Sequence, residues 1–113
     1  MERPKHVTVI VNRSTFFNCS KSNNNQNEPI WYHHTLMGVR QDVYDNQRIR
    51  DRYKDRFSID KNLNSGTFNL LVQRPETIDA GKYECVEDVE ADTGSSAELT
   101  LLGMDQLLYL ENI

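Results

Sequence analysis

Two cysteines 66 positions apart, Cys19 and Cys85, constrain this chain of 113 residues more than any other feature. Spacing alone leaves two readings open: a pair of buried thiols, or one bridge closing a long loop. The neighbouring residues favour the bridge. Cys19 ends Thr15-Phe16-Phe17-Asn18-Cys19, and Cys85 sits in Lys82-Tyr83-Glu84-Cys85-Val86. Both segments are strand-like. Each puts its cysteine on the side of a large ring two positions back, Phe17 or Tyr83. Inward cysteines on facing sheets come within disulfide reach. A bridge over so long a loop contributes about 4 kcal/mol on the chain-entropy model. It also predicts an oxidising compartment.

That contribution matters because the core is lean, with 37% hydrophobic and 27% charged residues. The length fits one domain. Thirteen Lys and Arg against 17 Asp and Glu leave a net charge of −4, which excludes the basic footprint of a nucleic-acid binder. No apolar run reaches the roughly 18 residues needed to span a bilayer. No charged start followed by an apolar stretch marks a signal peptide, so an exported chain has Met1 as an expression start or has lost its leader.

Apolar residues recur with period two. Val7, Val9 and Val11 alternate with Thr8, Ile10 and Asn12. Strands are expected at Thr15–Cys19, Pro29–His34, Val39–Tyr44, Arg48–Arg52, Asp55–Asp60, Thr67–Gln73, Gly81–Glu87 and Ala97–Leu102. Trp31, Phe57, Ile59, Phe68, Leu70, Val72, Ala97, Leu99 and Leu101 point inward. An Asn-rich loop (20–28), turns at 45–47 and 62–66, a connection at 75–80 that allows one helical turn, and an acidic loop (88–96) separate them. About nine short strands with turns between them mean an all-β sandwich or barrel. The domain is expected over 1–102. Residues 103–113 carry Met104, Leu107, Leu108 and Leu110 along one side of a short helix, marginal alone in water, and read as a linker, a stalk, or a segment that packs on something else.

Three features then converge. Trp31 follows Cys19 by twelve positions. Asp79-Ala80-Gly81-Lys82-Tyr83-Glu84-Cys85 fits Asp-x-Gly-x-Tyr-x-Cys. Arg56 opens an Arg-Phe-Ser-Ile strand. In this order the motifs resemble the immunoglobulin superfamily over residues 5–102. The room between Trp31 and Cys85 for two extra strands makes the chain similar to the V-set. The resemblance implies an immunoglobulin-like V-type sandwich of two sheets with one inter-sheet disulfide and Trp31 against it. It further implies a tyrosine corner at Tyr83, a tight approach at Gly81, and an Arg56–Asp79 ion pair closing the base. The chain departs from antigen-receptor variable domains: Thr93 to Leu101 lacks the Phe-Gly-x-Gly-Thr joining motif, and His33-His34 replaces the pairing Gln.

By parity, Tyr32, His34, Glu84 and Val86 point outward if Trp31 and Cys85 point in, with Asp88, Glu98 and Tyr44 nearby. Exposed tyrosine mixed with charge reads as a recognition face, the alternative being an ordinary solvated sheet. Charge is segregated. Arg40, Arg48, Arg50, Arg52, Lys54 and Arg56 crowd the middle, while Glu84, Glu87, Asp88, Glu90 and Asp92 crowd the last loop. This allows complementarity between copies, or solvated faces paired within the domain. His33 and His34 project to opposite faces, so they cannot chelate one ion together, but His34 can face Glu84 in a pH-tuned contact. Asn12-Arg13-Ser14 and Asn18-Cys19-Ser20 fit the glycosylation pattern, Asn12 the better placed.

No nucleophile elbow, paired histidines or phosphate loop is present, so no catalytic, metal or cofactor site is expected. The expected function is extracellular protein–protein recognition, as a cell-adhesion or non-rearranging immune-type receptor domain. It would act through the front sheet and end loops on a cell-surface protein or a second copy. The alternatives are a soluble innate-immune module for microbial or carbohydrate ligands, and a structural spacer. The only Trp is committed to the core, which disfavours sugar stacking.

Overall fold

The computed structural model describes residues 3–10, 13–21, 28–87 and 94–102. Nine strands occur among them: β1 Val7–Ile10, β2 Thr15–Phe17, β3 Ile30–Thr35, β4 Arg40–Asp45, β5 Arg48–Ile49, β6 Phe57–Asn62, β7 Thr67–Val72, β8 Gly81–Val86 and β9 Gly94–Leu102. A single 3-10 turn, Thr77–Asp79, fills the expected one-turn connection before β8.

Six strands form a front sheet in the order β1-β9-β8-β3-β4-β5, and β2-β7-β6 form the back sheet. β1 pairs with β9 in parallel, Val7 opposite Leu99. The alternating apolar set lines the space between the sheets. Phe17, Trp31, Leu70, Val72, Tyr83, Ala97 and Leu99 are buried in one cluster with Cys19 and Cys85. Those two cysteines form a disulfide with Cα atoms 6.5 Å apart, joining the end of the β2 segment to the centre of β8. The Trp31 indole donates to the Phe68 carbonyl on the opposite sheet, 2.9 Å away, so its one polar group is satisfied where the ring is fully buried.

The base of the sandwich is tied as the resemblance implied. Arg56 donates from Nε and Nη2 to the two oxygens of Asp79, both at 2.9 Å. The buried Asp79 carboxylate also accepts the Glu76 amide at 2.8 Å. The Tyr83 hydroxyl donates to the Asp79 carbonyl at 2.5 Å, four residues back, which makes the tyrosine corner.

Two expectations need correction. The segment expected as a strand over Arg48–Arg52 stops at Ile49. Turns follow, in which the Tyr53 amide donates to the Arg50 carbonyl and those of Arg56 and Phe57 to the Tyr53 carbonyl. This turn aims Tyr53 into the core, where it packs edge-on to Phe57 at 5.0 Å. The last strand begins at Gly94, three residues before the expected Ala97, because Gly94, Ser95 and Ser96 pair with Val86, Cys85 and Glu84. Asn12, Asp88, most of the Asn-rich and acidic loops, and the 103–113 segment lie outside the described residues.

Candidate functional site

The outer face of the front sheet is built by strand register. Tyr32 on β3 stands between Glu84 on β8 and Asp42 on β4. Glu84 in turn faces Ser96 on β9. In the next row His34 stands between Lys82 and Arg40, and Lys82 faces Glu98. Residues directly opposite on one face have their Cβ atoms about 5 Å apart, so each row is a line of interacting side chains. The second row reads acid, base, imidazole, base across four strands.

Diagonal contacts lock the two rows together. His34 Nε2 lies 2.9 Å from Glu84 Oε1, the contact expected from sequence. The Arg40 guanidinium sits 4.4 Å above the centre of the Tyr32 ring. This geometry suits a cation–π contact, worth about 0.5–1 kcal/mol at an exposed site.

Three residues expected to be exposed on this face are buried. Tyr32 projects outward but is only 7% exposed, with Arg40 over its ring. Tyr44 is 4% exposed and packs within the core cluster. The cause is a register shift: Trp31 pairs with Tyr44 while Tyr32 pairs with Asp42, so Val43 is an extra residue in β4. A bulge of this kind breaks the alternation on which parity rests. The Tyr44 hydroxyl donates instead to the Glu28 carboxylate, which Lys61 of the back sheet also contacts at 3.1 Å. Val86, between Ile30 and Gly94 on neighbouring strands, is 6% exposed. His34, Glu84 and Glu98 remain accessible. Arg40, Asp42, Lys82 and Ser96 join them, and parity along β8 and β9 already held the signal for Lys82 and Ser96.

Beneath this face lies a polar core group that the sequence reading missed. His33 is buried and stacks on Tyr83 with ring centres 4.4 Å apart. Its Nε2 donates to the Ala80 carbonyl at 2.9 Å, and Nδ1 lies 2.8 Å from the Tyr53 hydroxyl. That hydroxyl also contacts Gln41. Burial pushes the His33 imidazole below its ordinary range, while the Ala80 carbonyl and Asp79 oppose the shift. The available signal was Tyr53 itself, a lone aromatic in the charged run Asp51-Arg52-Tyr53-Lys54-Asp55.

Asn18 follows β2 at the edge of the back sheet and is half-buried. Among the described residues, no three His, Cys, Asp or Glu side chains gather in a metal-binding group.

A two-sheet sandwich pinned by one disulfide, with an indole at its centre, a tyrosine corner and an extra edge hairpin, defines a variable-type immunoglobulin fold. The model of the Immunoglobulin V-set domain matches residues 2–102, and the chain belongs to that family. Among solved structures it is similar to the first Ig domain of the mouse polymeric immunoglobulin receptor, with TM-score 0.73 and 18% identity over 91% of this chain and 94% of that one. It is also similar to the RIG-5 IG1 homodimer, with TM-score 0.76 and 13% identity over 88% and 92%. No curated protein sequence matches it. A V-set domain with this disulfide is consistent with a protein-binding recognition role in an extracellular setting.

Proposed function

We propose that this chain is a non-catalytic extracellular recognition domain, of the adhesion or immune-receptor kind, that binds a protein partner through the outer face of the front sheet. The observation that carries the reading is the pair of cross-strand charge rows. They present Glu98, Lys82, His34 and Arg40 beside Ser96, Glu84 and Asp42 on four adjacent strands. The His34–Glu84 contact and the Arg40–Tyr32 stack hold part of the pattern in fixed geometry. Fixed charges of both signs select partners by complementarity and set the association rate.

A second copy is the first partner to test, because a face carrying both signs in rows can match itself under a two-fold axis. The similarity to a structure described as a homodimer supports the same choice. In this reading residues 1–102 are the recognition unit, the partner sits on a cell surface or is a second copy, and Asn12 and Asn18 are glycan acceptors, Asn18 following β2 at the edge of the back sheet.

Light scattering after size exclusion, at several protein concentrations and from low to high salt, tests it. A dimer that weakens with salt and is lost in an Arg40→Glu, Lys82→Glu double variant supports the reading. If the chain neither self-associates nor binds any cell-surface protein in a display screen, the reading fails. It fails equally if binding survives the double charge reversal unchanged.

A further inference from the structure

Three large apolar side chains of the β3–β4 turn, Leu36, Met37 and Val39, stand beside Ile78 of the 3-10 turn before β8. All four are exposed, Met37 at 92% and Ile78 at 73%. Tight turns ordinarily carry polar residues and glycine, and here only Gly38, with φ +85°, fits that pattern. Between the two turns lies a cleft of about 670 Å³, with Arg52 and Tyr53 on its wall. A contiguous apolar patch of this kind marks a surface that something covers.

A second, cationic hollow of about 440 Å³ adjoins the cleft. Gln41, Arg52 and Tyr53 line both, and Arg40, Arg50 and Asp42 complete the second. Across the joined lining, four guanidinium groups meet two carboxylates. Arg56 is held by Asp79 through two hydrogen bonds. Arg50 lies 2.9 Å from Asp45 and 3.7 Å from Asp42, and Arg40 covers the Tyr32 ring. Arg52, on the shared wall, is exposed and makes no hydrogen bond or ion pair among the described residues. The groove thus has an apolar half and, next to it, a guanidinium available to an anion.

We propose that this double groove binds a segment of a partner protein in which a carboxylate side chain adjoins large apolar residues. The carboxylate would take Arg52 in the two-pronged pairing that guanidinium and carboxylate favour, while the apolar side chains cover Leu36, Met37 and Ile78. Three observations select that occupant. First, the excess of guanidinium over carboxylate selects an acidic partner. The exposed Glu76 carboxylate, 3.7 Å from Arg56, disfavours an anionic bilayer on the same rim. Second, Met, Tyr and Arg are residue types enriched where proteins meet. A small-molecule site encloses roughly 70–90% of its ligand, which side chains as open as Met37 and Ile78 do not provide. Third, the chain does not offer itself the motif the groove selects. Outside the groove, the exposed large apolar side chains among the described residues are Phe16 and Leu63, and neither has an acidic residue within two positions.

The inference goes beyond the front-face reading. Arg52, Met37 and Ile78 take no part in the charge rows, so each stands or falls without the other.

The test is selection of a displayed library of random twelve-residue peptides on the full chain, with peptides that also bind an Ile78→Asp variant removed. The side chains of Ile78 and Arg52 are exposed, so substitution there leaves the sandwich folded, as a urea midpoint checks. The expected result is enrichment of peptides that combine Asp or Glu with large apolar residues. A synthetic representative, followed by fluorescence anisotropy, should bind Arg52→Glu at least roughly tenfold more weakly than wild type. Exchanging its acids for Lys should remove binding to wild type and restore binding to Arg52→Glu. The proposal is overturned if no peptide distinguishes wild type from Ile78→Asp, or if the enriched peptides lack acids or bind Arg52→Glu unchanged. It is also overturned if Ile78→Asp weakens self-association in light scattering without peptide, which makes a second copy the occupant. Loss of binding to phosphatidylserine vesicles in that variant would likewise overturn it in favour of a lipid surface.

Discussion

Gly81 carries the sharpest glycine constraint among the described residues. Its φ is +132°, and an added Cβ would lie 2.4 Å from the His34 carbonyl oxygen and 3.1 Å from His33 Nε2. The first neighbour is backbone in the adjacent strand, so it cannot step aside without opening the β3–β8 ladder. Gly81→Ala should therefore cost about 3 kcal/mol, and a urea midpoint within 1 kcal/mol of wild type would refute that account. The titratable groups in this region act in opposite pH directions. His33 is packed against Tyr83 and bonded to Tyr53 and Ala80, with Asp79 and His34 as its charged or titratable neighbours. Its folded value lies below the ordinary value of about 6.5, so the unfolded chain takes up the proton first as pH falls. The stability tied to neutral His33 is present above that value and is lost progressively below it. Urea unfolding between pH 7.5 and 5 should show this slope, and His33→Gln should flatten it. The tyrosines work from the other side. Burial raises Tyr32, Tyr44 and Tyr83, and pushes Tyr53 up to about 12. Their contribution is present below about pH 10 and is lost as the pH climbs towards the folded values. The phenolate absorbance of these four tyrosines should therefore rise together with alkaline unfolding rather than ahead of it.

At the scale of the strands, sequence parity served where the ladder is regular. It placed Trp31, Phe57, Phe68, Leu70, Val72, Tyr83, Ala97 and Leu99 inward, and all eight are buried; β7 alternates along its whole length and β8 from Gly81 to Cys85, whereas β3 buries Trp31, Tyr32 and His33 in succession. It failed in β4, where both Val43 and Tyr44 are buried. A bulge is a property of the pair of strands, and nothing in Asp42-Val43-Tyr44 alone marks it. The charged run at 48–56 misled for a related reason. Its alternation of Arg with other residues mimics an edge strand, while the hydrogen bonds of Tyr53, Arg56 and Phe57 wind it into successive turns. The front face was thus legible as a location but not as a composition. It is a charged surface with its tyrosine covered, where exposed aromatics were expected. The cover itself is testable. Arg40 and Tyr32 lie on neighbouring strands, and Arg40→Ala removes one exposed stack, costing no more than about 1 kcal/mol. The same substitution should leave Tyr32 open to solvent, so that its phenol is acetylated by N-acetylimidazole faster than in wild type. Unchanged reactivity would mean that the guanidinium is not what shields the ring.

The whole molecule depends on a staple between two sheets that share a small core. Among the described residues the back sheet has three strands, and one of them, β2, is three residues long. The disulfide fixes Cys19, two residues past the end of that short strand, to β8 in the middle of the front sheet. Nearby, the Cys19 amide donates to Asn69 Oδ1 at 3.1 Å and the Phe68 amide to the Cys19 carbonyl at 2.7 Å. Chain connectivity alone would leave β2 held by its ladder with β7 and by Phe17, which stacks on Tyr83 at 5.2 Å and contacts Trp31 at 6.3 Å. On the chain-entropy model, removing a bridge over a loop of this length withdraws about 4 kcal/mol. A domain this size typically has a total of about 5–15 kcal/mol. A Cys19→Ala, Cys85→Val double variant should consequently lose a large share of its stability and unfold at much lower urea. Its front-sheet spectrum in the folded state should still match wild type, because the main effect acts on the unfolded chain. Amide resonances of His34, Lys82 and Glu84 in the oxidised parent and the variant provide the comparison. A stability loss under about 1 kcal/mol would show that the core holds the sheets together unaided. Displaced front-sheet resonances in a fully folded variant would show that the bridge shapes the native face as well as restricting the unfolded one.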